Sequence, residues 1–256
     1  MKRLVLILTL LSALSAMVSA TEKADTLKLM TYNIRHGELT AMDSLAAYIS
    51  SECPDIVALQ ECDWDTHRAR MLNNGVRYVN ELAYHTGMFG VHAKAIDFAG
   101  GYYGIGLLSR YPIVRYDRIL LPNDGETEQR VMLVADIELP GGEVITFINT
   151  HLEFKSPLIR FEQIVFINEY IQGRSGRIFL AGDMNTVPDS EEMRLLDGSW
   201  ISLTDDAFTF QSSDTKSKLD YIYVTRGQDV ELLETDVRED VFLSDHFPVM
   251  SVVRLY

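Results

Sequence analysis

Cysteine is scarce in this chain of 256 residues, which contains only Cys53 and Cys62. The two residues flank an apolar segment, residues 55–61, that has the composition of a buried strand. Extended at about 3.3 Å per residue, this segment would hold the two Cα atoms well over about 20 Å apart. Because a disulfide needs a Cα separation of about 4.4–6.8 Å, we predict two free thiols.

The sequence also lacks an apolar run as long as the roughly 20 residues that a membrane-spanning helix requires. Residues 4–17 are mostly apolar, follow the basic pair Lys2 and Arg3, and precede Val18-Ser19-Ala20. A basic start, a short apolar stretch and small residues are typical of a secretory signal peptide. We therefore predict a signal peptide over residues 1–20, cleaved after Ala20, and export to the periplasm or the extracellular space.

Basic residues are few relative to acidic ones, 23 against 37, and the formal net charge is −14. Proteins that bind nucleic acid tightly without sequence preference normally present a basic face, so the charge disfavours that function. A local basic pocket, or a metal that bridges protein and phosphate, remains compatible with it. Without repeats, low-complexity runs or a linker, residues 21–256 are predicted to form a single domain, which we expect to be monomeric.

The apolar patterns predict about ten strands and three or four helices spread along the chain. Two packed sheets with helices outside fit these patterns better than one ten-stranded sheet. A hairpin turn is predicted at Pro140-Gly141-Gly142, and Ser156 followed by Pro157 predicts the start of a helix that stops at Gly173. The other predicted helices are 43–51 and 77–86, and the predicted strands are 27–34, 55–60, 88–96, 104–109, 113–120, 130–138, 143–150, 176–180, 219–225 and 247–255.

Polar residues capable of binding metal or moving protons recur where apolar strands meet loops, which is where a rigid scaffold presents reactive groups. Each of them alone has an ordinary structural explanation, as a turn-former, a cap or a buried histidine. Together they offer oxygen and histidine ligands without cysteine, which suits Mg²⁺, Mn²⁺ or Ca²⁺ better than a thiolate zinc site. The set comprises Asn33, Glu61, His151, Asp183, Asn185, Asp220, Asp245 and His246.

This chemistry matches the hydrolysis of a phosphoester, because a divalent cation neutralises the non-bridging oxygens and stabilises the leaving oxyanion. Glu61 and Asp245 are the leading predicted ligands. Asp183 and Asn185 are predicted to hold the attacking water or a second metal ion.

The two histidines are the residues predicted to transfer or donate protons. A histidine with a pKa near neutrality suits deprotonation of a water, and a carboxylate on its other ring nitrogen would fix the tautomer. His246 with Asp220 is the favoured pair. His151 is predicted to donate a hydrogen bond to the phosphoryl oxygen.

Six motifs in order resemble the endonuclease/exonuclease/phosphatase superfamily, which has the DNase I-like fold, from about residue 27 to the C-terminus. The resemblance implies an α+β fold, a four-layer α/β/β/α sandwich in which two mixed sheets pack face to face. It also implies one or two Mg²⁺ or Mn²⁺ ions, Asn33 beside the metal, and either His246 or Asp183 as the group that deprotonates the water. The motifs are Thr31-Tyr32-Asn33-Ile34, Leu59-Gln60-Glu61, Asn149-Thr150-His151, Gly182-Asp183-Met184-Asn185, Leu219-Asp220-Tyr221-Ile222 and Ser244-Asp245-His246-Phe247-Pro248.

Further matches are similar to a secreted bacterial branch: Asp63, Thr66 and Arg68, the loop at 100–104, and Arg130. Tyr103, Arg68 and Arg130 are accordingly the predicted substrate-binding residues. The two arginines could bind phosphate bidentately, or they could only pair with surface carboxylates, which are abundant here. Ile105 departs from the pattern, since many relatives carry asparagine there, so any phosphate contact at this position must pass to another side chain such as Tyr103.

These features predict a metal-dependent phosphoester hydrolase that acts on a small molecule or a lipid headgroup. Three alternatives stay open. They are a secreted nuclease, a sphingomyelinase-type phospholipase C, and a non-catalytic binding module on the same fold.

Overall fold

A computed structural model of the protein describes residues 26–72, 77–212 and 214–256. The predicted signal peptide, residues 1–20, lies outside these described residues. Within them, no helix has both the length and the apolar character needed to cross a membrane. Cys53 is exposed, Cys62 is buried and both thiols are free, as predicted from the length of the intervening strand.

The described residues form fourteen strands and five α-helices, together with a short 3-10 turn at Arg35–Gly37. The strands are β1 (Thr26–Asn33), β2 (Ile56–Trp64), β3 (Phe89–Phe98), β4 (Gly101–Ser109), β5 (Ile113–Leu120), β6 (Val131–Glu138), β7 (Val144–His151), β8 (Ile178–Asp183), β9 (Trp200–Ser202), β10 (Phe210–Gln211), β11 (Lys216–Ser217), β12 (Asp220–Thr225), β13 (Val230–Val237) and β14 (Val249–Leu255). The helices are α1 (Met42–Glu52), α2 (His67–Leu72), α3 (Tyr78–Thr86), α4 (Pro157–Ile171) and α5 (Glu191–Arg194).

Twelve of these strands form two mixed six-stranded sheets. The first sheet has the order β13-β14-β1-β2-β4-β3 and the second has the order β5-β6-β7-β8-β12-β9, while β10 and β11 form a separate ribbon. In each sheet the two central strands are the parallel pair, β1 with β2 and β7 with β8. The C-terminal ends of each central pair therefore lie at the same edge of their sheet.

The sheets pack face to face because side chains alternate along each strand. Leu27 and Leu29 of β1 join Phe147 of β7 in the apolar core between the sheets. Met30 and Tyr32, one position out of phase, pack instead against α1 and α3 on the outer face of the first sheet. Helix α4 covers the outer face of the second sheet through Ile164 and Ile167, among others. The predicted four-layer sandwich is confirmed.

The local signals placed most elements correctly. Strands β6 and β7 pair as the predicted hairpin, and Ser156 caps α4 by accepting a hydrogen bond from the Ile159 amide at 3.3 Å. Gly87, with a φ of +70°, ends α3 as expected of a left-handed cap residue.

Six elements have no clear sequence signal. Helices α2 and α5 are only six and four residues long, β9 is three residues long, and β10 and β11 are two residues long each. Strand β13 lies at a sheet edge with mostly exposed side chains, so it lacks the apolar alternation of a half-buried strand. The prediction that β2 ends before Glu61 was wrong, because the strand continues through a β-bulge to Trp64.

Candidate active site

Three of the predicted site residues are neighbours across the second sheet. His151, at the end of β7, pairs in register with Asp183, at the end of β8. Asp183 pairs in turn with Asp220, the first residue of β12. The parallel β7–β8 pair thus brings its C-terminal ends to one edge, and the antiparallel β12 begins at that same edge.

Asn33 connects this edge to the first sheet. Its Nδ2 donates to Oε1 of Glu61 at 3.2 Å and to Oδ2 of Asp183 at 3.1 Å. The same Asp183 oxygen lies 3.6 Å from Nε2 of His151 and 3.7 Å from Nε2 of His246. Asp183 Oδ2 is therefore the point on which side chains from both sheets converge.

Glu61 reaches this edge through an unusual backbone conformation. It lies in the bulge where the β2–β4 register breaks between Leu59 and Cys62, and its φ is +59°. A positive φ is uncommon for a residue with a side chain, and such strain often marks a functional site. Burial would raise the pKa of Glu61, but its hydrogen bonds with His36 and Asn33 lower that pKa to about 2. Glu61 is thus stabilised as a carboxylate.

His246 is fixed by a carboxylate on one ring nitrogen. Its Nδ1 lies 2.8 Å from Oδ2 of Asp220, which also accepts a hydrogen bond from the Thr209 hydroxyl at 2.6 Å. In the metal-free chain burial opposes protonation, but the charges of Asp220 and Asp183 raise the pKa of His246 to about 10. Burial and the Asp220 charge raise the pKa of Asp183 to about 7. A bound cation would oppose these carboxylate charges.

His151 differs from His246 in its surroundings. Burial and the positive charge of Arg130 lower the pKa of His151 well below its usual value. Its Nδ1 is buried and makes no hydrogen bond among the described residues. Burial thus disfavours the protonated form of this ring, and a neutral imidazole still carries one N–H that can donate to a phosphoryl oxygen.

Asp245 and Asn185 complete the predicted set. Oδ2 of Asp245 lies 3.0 Å from Nη1 of Arg35, and Ser244 donates to the Asn33 carbonyl at 2.7 Å, which anchors the Asp245 loop at this edge. Asn185 has a φ of +51°. Its backbone amide donates to Oδ1 of Asp183 at 2.8 Å and its side-chain amide donates to the Leu152 carbonyl at 2.9 Å.

The donor set fits a hard divalent cation. Asp183, Asp220 and His246 are buried, and one ligand atom from each lies within 4.8 Å of the others. Oδ1 of Asp220 is buried without a hydrogen bond in the described part of the chain, which is costly unless a ligand satisfies it. The predicted ligands Glu61 and Asp245 are not members of this three-residue group. Glu61 is hydrogen-bonded to Asn33 and His36, and Asp245 forms an ion pair with Arg35. Metal binding by Glu61 and Asp245 stays a prediction.

Arg68, a predicted phosphate-binding residue, is occupied by a carboxylate. Its Nε and Nη2 donate to the two oxygens of Asp63 at 3.0 and 2.7 Å. Thr66 also donates to Asp63 at 2.7 Å, and the guanidinium carbon of Arg68 lies 4.7 Å from the Phe98 ring centre. Arg68 therefore pairs with a carboxylate, but with the buried Asp63 and not with a surface carboxylate as the sequence alternative had it.

Arg130 and Tyr103 are the other predicted substrate-binding residues. Arg130 is buried, with Nη1 at 3.1 Å from Glu128 and Nε at 3.9 Å from Oε2 of Glu153, and Nε makes no hydrogen bond among the described residues. Burial and the Glu61 charge raise the pKa of Tyr103 well above its usual value, and Arg130 acts in the opposite direction. Both side chains are therefore within electrostatic reach of the site. Ile105, in contrast, packs in the core between the sheets.

Sequence reasoning missed two residues of this edge. Thr209 bonds to Asp220, and the ring of Phe210 lies 4.9 Å from that of His246. Both come from a stretch without apolar periodicity, so no sequence signal points to them. His36 carried a weak signal, its position three residues after Asn33, and its Nδ1 lies 3.2 Å from Oε2 of Glu61.

Comparison with known proteins agrees with this architecture. The profile of the Endonuclease/Exonuclease/phosphatase family matches residues 30–246. No curated protein sequence matches the chain. Members of the family are hydrolases acting on phosphoester bonds and generally depend on a divalent metal.

Three solved structures are similar to the chain. The endonuclease/exonuclease/phosphatase from Beutenbergia cavernae is 20% identical, with a TM-score of 0.73 over 90% of this chain and 72% of that one. The mannosyl-6-phosphatase of Bacteroides thetaiotaomicron is 18% identical (TM-score 0.68, 89% and 99% covered). The human Nocturnin catalytic domain with a bound sulfate anion is 17% identical (TM-score 0.69, 91% and 95% covered). With the shared fold and a family profile that spans most of its length, the chain belongs to the endonuclease/exonuclease/phosphatase family.

Proposed function

We propose that the protein is an exported, divalent-metal-dependent phosphoester hydrolase whose substrate is a small molecule or a lipid headgroup. The observation that carries the proposal is the convergence of Asn33, His151 and His246 on one oxygen of Asp183. Side chains from both sheets and from the loop before β14 meet there. Export follows from the signal peptide predicted over residues 1–20.

Glu61 and Asp245 are proposed to hold Mg²⁺ or Mn²⁺, with Asn33 beside the ion. When bound, the ion supplies charge neutralisation for the phosphoryl oxygens and the leaving oxyanion. Asp183 and Asn185 are proposed to orient the attacking water or to hold a second ion. The buried, unpaired oxygen of Asp220 and the three-residue group around it support a cation at this edge.

His246 is proposed to take the proton of the attacking water at Nε2. Its other nitrogen, Nδ1, is held by Asp220 at 2.8 Å, so Nε2 is the atom that faces Asp183. Asp183 itself is the alternative acceptor of this proton. His151 is proposed to donate to a phosphoryl oxygen through Nε2, which also faces Asp183, at 3.6 Å.

Arg130 and Tyr103 are proposed to bind the substrate phosphate. Arg130 is buried, and its Nε, which lies 3.9 Å from Oε2 of Glu153 and makes no hydrogen bond among the described residues, can donate to an anion. Tyr103 lies within electrostatic reach of both Glu61 and Arg130. Arg68 is assigned a supporting role, because Asp63 already occupies two of its donor nitrogens.

A cavity beside Asp245 favours a small organic substrate. It has a volume of about 640 Å³, within the range of about 300–1,000 Å³ typical of small-molecule sites. Its walls combine apolar side chains with polar ones, and Arg35, the one cation among the described lining residues, is paired with Asp245 and Glu38. The lining residues are Arg35, Leu39, Phe210, Gln211, Ser212, Phe242, Ser244, Asp245 and Phe247.

A lipid headgroup is supported by two aromatic side chains near the tip of the β3–β4 hairpin. Phe98 and Tyr102 are 38% and 41% exposed, although both are large and largely apolar. Aromatic residues of this kind favour the interface between membrane and water. A nuclease is less favoured, because the net charge of −14 works against a polyanion.

A substrate panel tests the proposal. Purified residues 21–256 are assayed with Mg²⁺ or Mn²⁺ against bis-p-nitrophenyl phosphate, p-nitrophenyl phosphate, plasmid DNA and sphingomyelin vesicles. We expect cleavage of a small ester or of the lipid, lost with EDTA and restored by added metal. Plasmid nicking far faster than the other reactions would favour the nuclease, activity that survives EDTA would remove the metal mechanism, and no hydrolysis at all would favour a binding module.

A further inference from the structure

A buried amide pair joins the two sheets directly beneath the site. Gln60 of β2 and Asn149 of β7 are both fully buried. Nε2 of Gln60 donates to Oδ1 of Asn149 at 2.8 Å. Gln60 immediately precedes Glu61 and Asn149 lies two residues before His151, so this bond joins the two strands just before their site residues.

Asn149 also supplies the donors that the bulge of β2 needs. Its Nδ2 donates to the carbonyls of Leu59 at 2.9 Å and Gly106 at 2.7 Å. Leu59 and Gly106 are the last register pair before the β2–β4 ladder breaks, and pairing resumes at Cys62. A buried carbonyl without a partner costs about 1–3 kcal/mol, so a donor from the opposite sheet stabilises the break.

The chemistry of the pair argues against a role in packing alone. The surrounding core between the sheets is apolar, and an apolar pair of similar volume would fill it without requiring donors and acceptors to match. The hydrogen bonds of an amide pair form at only one relative position of the two strands, because each bond requires a set distance and direction. That placement is the one in which Glu61 adopts its φ of +59°.

We infer that Gln60 and Asn149 form an inter-sheet amide clamp that holds the bulge at Glu61 and sets the position of Glu61 relative to His151. Both are positioning residues, and they act through the backbone of β2. The inference rests on the proposed function in one respect, the role of Glu61 as a metal ligand. The state of the bulge can be measured without that role.

The test removes the clamp donors with Asn149→Ala and uses Ser251→Ala as a matched control. Ser251 is also fully buried and also bonds across the sheets, to the Leu203 carbonyl at 2.8 Å. It pairs with Leu29, four residues before Asn33 on β1, and therefore lies away from the site. Gln60→Met is a second variant that keeps most of the side-chain volume and the Asn149 donors; it deletes the bond to Asn149 together with the bond to the Thr31 hydroxyl at 3.2 Å.

Two readouts are taken on the protein without substrate. Mn²⁺ affinity is measured by electron paramagnetic resonance, and the rate of Cys62 alkylation is measured by peptide mass mapping, which separates Cys62 from the exposed Cys53. We expect Asn149→Ala to weaken Mn²⁺ binding about tenfold or more, as loss of supporting groups does at metal sites, and to accelerate Cys62 alkylation. Gln60→Met should shift both in the same direction by less, and Ser251→Ala should leave both unchanged.

The clamp is overturned if Asn149→Ala matches Ser251→Ala in Cys62 alkylation. It is also overturned if Asn149→Ala retains Mn²⁺ affinity while Glu61→Gln, measured in parallel, loses it. If Glu61→Gln retains wild-type Mn²⁺ affinity, the assignment of Glu61 as a metal ligand in the proposed function fails. Faster Cys62 alkylation in Asn149→Ala then still supports the clamp. If Asn149→Ala does not fold, Gln60→Met replaces it in the test, with Mn²⁺ affinity and the rate of Cys62 alkylation compared with those of Ser251→Ala in the same way.

Discussion

Nδ1 of His246 lies 2.8 Å from Oδ2 of Asp220, and this oxygen is held from its other side by Thr209 at 2.6 Å. The imidazole is therefore restricted to one orientation, with Nε2 directed at Asp183. We expect His246→Ala to lower kcat by roughly 10²–10⁴-fold, the usual contribution of a general base. Turnover is measured at saturating metal, and circular dichroism confirms that the variant folds. His85→Ala, at an exposed position on α3, is the control, and wild-type turnover in His246→Ala would reassign the base.

Asp220→Asn separates ring orientation from charge. The Thr209 hydroxyl accepts from the Leu219 and Asp220 amides and donates to Oδ2, so an asparagine would place its amide oxygen at that position and still accept from Nδ1 of His246. The ring orientation is then kept, but the negative charge that stabilises the protonated ring is lost. We expect kcat to fall by about a hundredfold or more. Thr209→Val should lose far less, because the carboxylate stays, and equal losses in the two variants would contradict the role of the Asp220 charge.

Glu61→Gln tests the proposed metal ligand with minimal change in shape. The amide keeps one oxygen but lacks the negative charge that favours a hard cation. We expect the Mg²⁺ concentration for half-maximal activity to rise by about tenfold or more. Glu169→Gln, on the exposed side of α4, is the control. An unchanged Mg²⁺ requirement in Glu61→Gln would exclude this residue as a ligand.

Arg130→Lys keeps the positive charge but removes the planar donor geometry that binds a phosphate bidentately. We expect KM to rise several-fold with a smaller change in kcat, measured by steady-state kinetics on the best substrate of the panel. Arg115→Lys, at an exposed position of β5, provides the comparison. A fall in kcat without a change in KM would assign Arg130 to the chemical step.

Gly182 is a position where a single added methyl group should lower the stability of the fold. Its φ is +143°, and a Cβ built there would lie 2.0 Å from the Thr150 carbonyl oxygen. Gly182→Ala must therefore push β8 away from β7 directly beside Asp183, and we expect the free energy of unfolding to fall by about 3 kcal/mol or more. Urea denaturation measures this. Gly198→Ala, where the added Cβ meets no atom within 4 Å, should change stability little.

Much of the site could be predicted because its residues stand at the ends of apolar runs. Strand β8 ends at Asp183 and β12 begins at Asp220, where a buried pattern gives way to polar residues. Such transitions depend on local composition, which the sequence carries directly. The order of the six motifs then indicated that these ends belong to one site.

The features that were missed depend on contacts between distant segments. The bulge at Glu61 is stabilised by donors from β7, roughly ninety residues away along the chain. Thr209 matters only because folding brings it to Asp220. Likewise, no local pattern shows that Arg68 is bound by Asp63 rather than left free for a ligand.

Asn33 bonds to a carboxylate on each sheet at once. The proposed hydrolysis therefore requires the two sheets to be packed on each other, even if each sheet keeps its own ladder of hydrogen bonds. Catalytic rate thus becomes a reporter of sheet docking. In a mild denaturant, a loss of rate that precedes the loss of far-ultraviolet ellipticity would identify an undocked state that spectroscopy of the backbone alone would overlook.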